Sequence, residues 1–241
     1  MTEAGHNLQI SAVMPAFNEE DNLVPCVQRL DDALRDRTGE YEMIVVNDGS
    51  RDRTAQVLAQ LSERYPALRV VTHTINRGYG AALRSGFATA RHEWVFMMDS
   101  DNQFDPAELE LLLARASDAD IVTGYRKQRR DPLQRRLNAW AFFTLVNLLF
   151  SRLARDVNCA FKLMRRDQLA RMHLSSTGAL INTEIFVKAH RLGARVVEVP
   201  ILHYPRTAGK QTGANLRVVL RAFAELLALT AEMRKATQER I

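Results

Sequence analysis

The chain has 241 residues, 46% of them hydrophobic and 25% charged, which allows one sizeable core and excludes a disordered polymer. Two cysteines, Cys26 and Cys159, each among apolar neighbours, are too few for a disulfide framework or a thiolate metal site and read as reduced structural thiols. The formal net charge of +5 favours an anionic partner, whether nucleic acid, lipid headgroup or phosphorylated substrate.

Residues 1–9 carry no basic stretch followed by an apolar run, so no secretory signal is expected and the protein is expected in the cytosol. The run Ile10-Ser11-Ala12-Val13-Met14 predicts a first strand stopped by Pro15. The acidic stretch Asn18-Glu19-Glu20-Asp21 then starts a helix whose apolar period runs through Leu23, Val27, Leu30 and Leu34. Met43-Ile44-Val45-Val46 predicts a second strand ending at Asn47-Asp48-Gly49-Ser50, and Val57, Leu58 and Leu61 mark one face of the next helix. The unit repeats with Val70-Val71-Thr72, a small-residue helix over 80–90 and the strand Trp94-Val95-Phe96-Met97-Met98. A helix over 106–116, introduced by Asp105-Pro106, leads to a fifth strand, Asp120-Ile121-Val122-Thr123. Strands alternating with helices imply an α/β fold with a mostly parallel sheet covered on both faces. Ligands bind such a sheet beyond the carboxyl ends of its strands, and polar residues collect there: Asn18, Asp48, Asn76, Asp99 and Arg126.

Beyond Arg126 the pattern changes. The basic loop Arg126-Lys127-Gln128-Arg129-Arg130-Asp131-Pro132 leads into an apolar helix over about 137–154 that contains Trp140, Phe142 and Phe143. Asn138, Asn147, Ser151 and Arg152 interrupt it too often for a membrane span. A basic loop beside such a helix fits a membrane interface, the alternative being a helix packed on the core or on another subunit. The basic run lacks interleaved aromatics for base stacking, which disfavours nucleic acid. Helices over 182–192 and 215–235 and a strand over 195–199 complete the chain; without internal repeats or linkers, one domain over 1–241 is predicted.

The residues with the most distinctive chemistry are Asp99 and Asp101, one residue apart at the end of an apolar strand. Two such carboxylates can share a hard divalent cation, since Mg²⁺ binds through one or two carboxylates plus the phosphates of a substrate, and Gln103 could add an oxygen. The alternative is a capped turn, but a buried acid pair without a ligand is costly.

Five segments in order carry a resemblance: Pro15-Ala16-Phe17-Asn18-Glu19-Glu20, Asn47-Asp48-Gly49-Ser50-Arg51-Asp52, Asn76-Arg77-Gly78-Tyr79-Gly80, Asp99-Ser100-Asp101-Asn102-Gln103 and Gly124-Tyr125-Arg126. Together they resemble the motifs of family 2 glycosyltransferases, in particular the polyprenyl-phosphate (dolichyl-phosphate) mannosyl- and glucosyltransferases. The resemblance implies a GT-A fold, a nucleotide-sugar donor, inversion at the anomeric carbon and Mg²⁺ or Mn²⁺. It divides the domain into a nucleotide-sugar-binding half, 1–125, and an acceptor-side half, 126–241. By position, Pro15, Phe17 and Glu19 would line the nucleoside pocket, although Phe17 also suits the core. Asp48 would contact base or ribose, or else form an Asx turn before Gly49. Asp99, Asp101 and Gln103 would surround metal and diphosphate, Arg126 would reach a phosphate, and Asp99, Asp101 and Arg126 would carry catalysis.

The second half resembles the family less closely. Asp156-Val157-Asn158-Cys159-Ala160-Phe161-Lys162 has Ala160 where the family has Gly, and Arg206-Thr207-Ala208-Gly209-Lys210-Gln211-Thr212 keeps Arg206 and Gly209 but replaces the following Ser and Lys. Arg206, Lys210 and Asp156 are the expected acceptor-side residues. A polyprenyl phosphate acceptor is already ionised at neutral pH and needs no general base, whereas a sugar hydroxyl would need one, with Asp156 or Glu184 as candidates. GDP-mannose is the first expected donor and UDP-glucose the second. Peripheral attachment to the inner face of the membrane is expected, with a homo-oligomer or a membrane partner subunit open. A soluble glycan or small glycoside acceptor, and a binding subunit without catalysis, are the competing readings.

Overall fold

Residues 8–127, 144–146, 148–150, 153–206, 208 and 216–238 are described by the computed structural model, the last segment without the side chains of 216–220 and 235–238. The apolar runs become the strands β1 (Gln9–Ala16), β2 (Glu40–Asp48), β3 (Leu68–His73), β4 (Trp94–Met98), β5 (Ile121–Arg126), β6 (Phe161–Arg165) and β7 (Val196–Ile201). They form one seven-stranded sheet in the order β3-β2-β1-β4-β6-β5-β7. Met43, Ile44, Val45 and Val46 on successive positions of β2 are all fully buried. A strand covered on both faces needs apolar side chains on both, which is why these runs are continuous rather than alternating.

Helices α1 (Leu23–Arg37) and α2 (Thr54–Arg64) carry the chain outward from β1 through β2 to β3, and α3 (Tyr79–Thr89) brings it back to β4 on the other side of β1. Right-handed crossovers therefore put α1 and α2 on one face of the sheet and α3 on the other. Where the winding reverses, between β1 and β4, the loops leave in opposite directions and open a crevice at the carboxyl ends. α3 lies close on the sheet because Gly86 has no side chain: a Cβ there would stand 2.4 Å from Val13 Cγ1. Further helices are a short α4 (Leu109–Leu113), α5 (Arg166–Arg171), α6 (Ile181–Arg191) and α7 (Leu216–Gln238).

Several expectations are corrected in detail. β1 continues through Pro15 to Ala16, because its pairing with β4 ends at Val13 while that with β2 runs on to Ala16, so the missing proline N–H interrupts no bond to β4. The acidic stretch after β1 is a turn, with Asn18 at φ 57°, and the helix begins only at Leu23. The helix expected over 106–116 breaks into a 3₁₀ turn, Pro106–Glu108, and α4, although Asp105 does cap its start by accepting from the Ala107 N–H at 3.0 Å.

β6 was not expected, since Lys162 and Arg165 interrupt its apolar run, and it lies antiparallel between β4 and β5. Its direction follows from connectivity: β5 ends at Arg126 and β6 begins at Phe161 opposite Met98, so the chain between them leaves and returns at the carboxyl edge. Of the interfacial helix expected over 137–154, residues 144–146 and 148–150 are helical, while Trp140, Phe142, Phe143 and the basic loop beyond Lys127 lie outside the described residues. Val146 is buried with Leu180 and Val187 of the α6 region and Leu226 and Leu229 of α7, whereas Leu148 is 82% exposed. Among the described residues, no helix is long and apolar enough to cross a membrane.

Candidate functional site

The acid pair stands where the switch of winding opens the sheet. β4 is buried along its whole length and delivers Asp99 directly after Met98. Ser100 Oγ donates to the Pro15 carbonyl at 2.8 Å, tying the end of β4 to that of β1. Asn102, at φ 59°, turns the chain and donates from its side chain to the Asn22 carbonyl at 2.9 Å. The Tyr79 hydroxyl, from the first residue of α3, donates to Asp99 Oδ1 at 2.8 Å.

Burial and the Asp101 carboxylate raise the Asp99 carboxyl to about 7, partly opposed by the Tyr79 hydrogen bond and by the charges of Lys162 and Arg126. Burial raises Asp101 as well, against the Gln103 N–H and the Arg206 charge. Two half-buried carboxylates that repel one another suit a hard cation. Among the described residues no group of three or more His, Cys, Asp or Glu converges, so a cation here would need phosphate or water oxygens as well.

Arg206 comes from the loop after β7 and spans the crevice. Its Nη2 lies 2.5 Å from Glu19 Oε1 and its Nη1 3.6 Å from Asp101 Oδ2. The other Glu19 oxygen accepts from Asn22 Nδ2 at 2.6 Å. An expected acceptor residue thus meets an expected donor residue beside the acid pair. Gln103 Nε2 donates to the Tyr204 carbonyl at 3.0 Å and the Tyr204 N–H returns to the Gln103 carbonyl at 2.8 Å, so this side chain anchors the same loop. Phe17 is half-buried beyond β1, Pro15 is inside it, and Lys210 lies outside the described residues.

Arg126 and Asp156 form a two-pronged pair, Nε to Oδ2 at 2.7 Å and Nη2 to Oδ1 at 2.9 Å, with both side chains largely buried. The Asp48 carboxylate is held internally: it accepts from the Arg77 and Gly78 N–H groups at 2.9 and 2.8 Å and meets His73 Nδ1 at 2.6 Å. His73 Nε2 lies 2.9 Å from Ser85 Oγ, so the imidazole ties β2, β3 and α3 together and shapes the loop before α3. The Asn47 and Asn18 segments lock reciprocally, Asn18 N–H to Ser50 Oγ at 3.0 Å and Arg51 N–H to Asn18 Oδ1 at 2.8 Å. That interlock gives two of the five sequence segments a shared structural reason.

Two acids that local sequence does not connect build the far wall, residues 175–178. Glu184, fully buried, accepts from the Ser175 and Ser176 N–H groups at 2.8 Å each and pairs with Lys188 Nζ at 2.8 Å. Glu225 of α7 accepts from the Thr177 and Gly178 N–H groups at 3.0 Å each. The wall touches α3 closely: Gly80 N–H donates to the Thr177 carbonyl at 2.9 Å, and a Cβ on Gly80 would lie 2.7 Å from both the Ser176 and Gly178 carbonyl oxygens. Gly80→Ala is therefore expected to destabilise the fold by about 2 kcal/mol through overpacking, read as a lower urea midpoint. An unchanged midpoint would show that the wall gives way freely.

Burial pushes the Glu184 carboxyl up, but the Lys188 hydrogen bond and the Ser176 and Ser175 amides outweigh it and hold the group below its ordinary 4.5. A depressed folded-state value stabilises fully above the unfolded value and is lost as pH falls through the folded one. Glu184→Gln is expected to cost about 2 kcal/mol at neutral pH, a gap that narrows below about pH 4. Urea titrations across that range check this, and a gap independent of pH would count against the ionised brace.

Lys162 and Asn182 were not expected at the site. Lys162 is fully buried on β6, and burial lowers it to about 8 against the opposing effects of Cys159, Asp156 and Asp99. Its one sequence signal is a charge inside an apolar run. Both cysteines are buried, and burial pushes each thiol up to about 12, in keeping with inert structural roles. A surface cavity of about 750 Å³ lined by Asp31, Arg35, Glu40, Tyr41, Tyr65 and His92, among others, opens at the amino ends of the strands. That is the edge opposite the acid pair, so the cavity is unrelated to the crevice.

Residues 11–188 match the family described as Glycosyl transferase family 2. Dolichyl-phosphate beta-glucosyltransferase ALG5A of Trichomonas vaginalis is 31% identical over 215 residues, covering 81% of this chain and 65% of that protein. Undecaprenyl-phosphate 4-deoxy-4-formamido-L-arabinose transferase of Klebsiella pneumoniae is 28% identical, covering 88% of this chain and 64% of that protein. The chain thus spans just under two thirds of the length of these two relatives. Glucosyl-3-phosphoglycerate synthase from Mycobacterium tuberculosis, solved with Mn²⁺, UDP-glucose and phosphoglyceric acid, superposes with a TM-score of 0.72 at 21% identity, covering 93% of this chain and 80% of that one. Mannosyl-3-phosphoglycerate synthase from Rubrobacter xylanophilus gives 0.69 at 20% identity, covering 97% and 76%. At such identities the likeness is one of fold, and the fold is the GT-A architecture.

Proposed function

The chain belongs to glycosyl transferase family 2, and from that premise we propose that it transfers a hexosyl group, with inversion, from a nucleoside-diphosphate sugar to a polyprenyl phosphate at a membrane surface. The carrying observation is the Asp99 and Asp101 pair, which stands at the carboxyl end of β4 in the crevice and lies beside Arg206 and Glu19. Asp99 and Asp101 would hold Mg²⁺ or Mn²⁺ together with the donor's diphosphate. When bound, the cation would act as a Lewis acid that neutralises charge on the departing nucleoside diphosphate. Pro15, Phe17 and Glu19 would line the nucleoside side, with Asp48 supporting that side through the loop before α3. Arg126, held by Asp156, adds fixed positive charge near Asp99. Catalysis is then largely orientation and preorganised charge.

The acceptor follows from what the other acids are doing. Glu184 is saturated by the wall at 175–178 and Asp156 is engaged by Arg126, so both candidate bases are occupied. An acceptor that arrives already ionised fits this arrangement, and a lipid phosphate is one. The relatives named for dolichyl-phosphate and undecaprenyl-phosphate transfer support that acceptor. Arg206, Asp156 and Lys210 would border it. The relative named as a glucosyltransferase and the neighbour solved with UDP-glucose favour UDP-glucose as the first donor to test, ahead of GDP-mannose.

The test incubates the protein with radiolabelled UDP-glucose or GDP-mannose, Mn²⁺ and polyprenyl phosphate in detergent, and extracts the mixture into organic solvent. Label in the organic phase is the expected result. Label confined to the water phase with every donor would overturn the lipid acceptor, and transfer to an added glycan or glycoside would replace it with a soluble one.

A further inference from the structure

Lys162 is fully buried, and its ammonium makes no ion pair within the described residues: it donates to the Val157 carbonyl at 3.4 Å, to the Cys159 carbonyl, and to Asn182 Oδ1 at 2.9 Å. An ammonium removed from water with only neutral acceptors is expensive, so its position calls for a use beyond packing. The next links supply one. The Tyr79 hydroxyl donates to Asp99 Oδ1 at 2.8 Å, and Asn182, 4% exposed on α6, is the neighbour that favours the ionised form of that hydroxyl. Since Asn182 uses its oxygen to accept from Lys162, its amide N–H is what remains to donate to Tyr79. With that amide turned to Tyr79, every donor would point the same way, from the ammonium through amide and hydroxyl to the carboxylate, and such chains polarise and strengthen one another.

We propose that Lys162, Asn182 and Tyr79 are positioning residues that together hold the Asp99 carboxylate in the orientation a divalent cation requires. The inference rests on the reading of Asp99 and Asp101 as the cation site. The chain joins three separate elements, β6, α6 and α3, at the end of a fourth, β4. Tyr79 holds Asp99 Oδ1 in place, and Oδ2 is the oxygen a cation would take. Hydrogen bonds from behind a ligating carboxylate commonly govern metal affinity.

The test measures Mn²⁺ affinity of the full chain in the presence of UDP, from the loss of the free-ion paramagnetic resonance signal, a readout that needs no turnover. Tyr79→Phe removes one oxygen and Asn182→Ala breaks the middle link. Each is expected to raise the Mn²⁺ dissociation constant about tenfold, and the double variant to raise it no further than the larger single effect, because both act through one chain. In steady-state assays the Mn²⁺ requirement should rise while the rate at saturating Mn²⁺ changes little, a split that general loosening would not produce. Asp99→Asn marks the site itself. If Asp99→Asn binds Mn²⁺ as the parent does, the cation-site reading fails. If Asp99→Asn loses Mn²⁺ while Tyr79→Phe binds as the parent does, or the two single effects multiply in the double variant, the positioning chain is overturned. Lys162→Met tests the far end, and should it fail to fold, Tyr79→Phe alone decides.

Discussion

Asp101→Asn is expected to lower sugar transfer by on the order of 10³-fold, the scale seen when a single element of preorganised transition-state charge is removed, while leaving the folded state as stable as the parent or more so. The two halves of this result have one cause. Burial and the Glu19 charge disfavour the Asp101 carboxylate in the protein without a cation, opposed by the Gln103 N–H and Arg206. Asparagine keeps the shape and removes the charge, so the fold loses a repulsion while the donor diphosphate loses its electrostatic partner. Transfer rates at saturating Mn²⁺, together with urea midpoints, check both halves. Equal transfer by parent and variant would remove the cation from the mechanism.

Asp156→Ala is expected to destabilise the protein by about 3 kcal/mol, the low end of the range for removing one partner of a buried ion pair. Arg126 is 14% exposed at its side chain and Asp156 only 6%, so water cannot readily replace the lost carboxylate. Transfer should fall as well, because the guanidinium whose charge favours the ionised form of Asp99 is no longer held at the end of β5. Urea titration of the variant tests the first effect and the kcat of the fraction that remains folded tests the second. A midpoint equal to the parent's would mean that other neighbours carry Arg126 and that Asp156 is dispensable to it.

Structural and chemical roles overlap at Asp48. Its carboxylate, expected to contact base or ribose or to form an Asx turn, binds the Arg77 and Gly78 amides and His73 from inside the loop, and Asn47 closes the turn by accepting from the Ser50 N–H three residues on at 3.1 Å. One residue apart on a strand, the two side chains point to opposite sides, which lets one cap the turn while the other supports the neighbouring loop.

The amino-acid sequence by itself determined the parallel half of the sheet and the location of the acid pair. The continuous apolar runs of β1, β2 and β4 require burial on both faces, and the polar residues that end them must come out at the carboxyl edge. Those are local signals, readable within a few residues. Only the tertiary structure decided that β6 enters antiparallel between β4 and β5, that Arg206 meets Glu19 across 187 residues, and that Lys162 meets Asn182 while Tyr79 meets Asp99. Each of these depends on strand order and on which loops return to the same edge. A side chain's partner across the sheet is set by that order and leaves no periodic trace in the chain, whereas its own burial does.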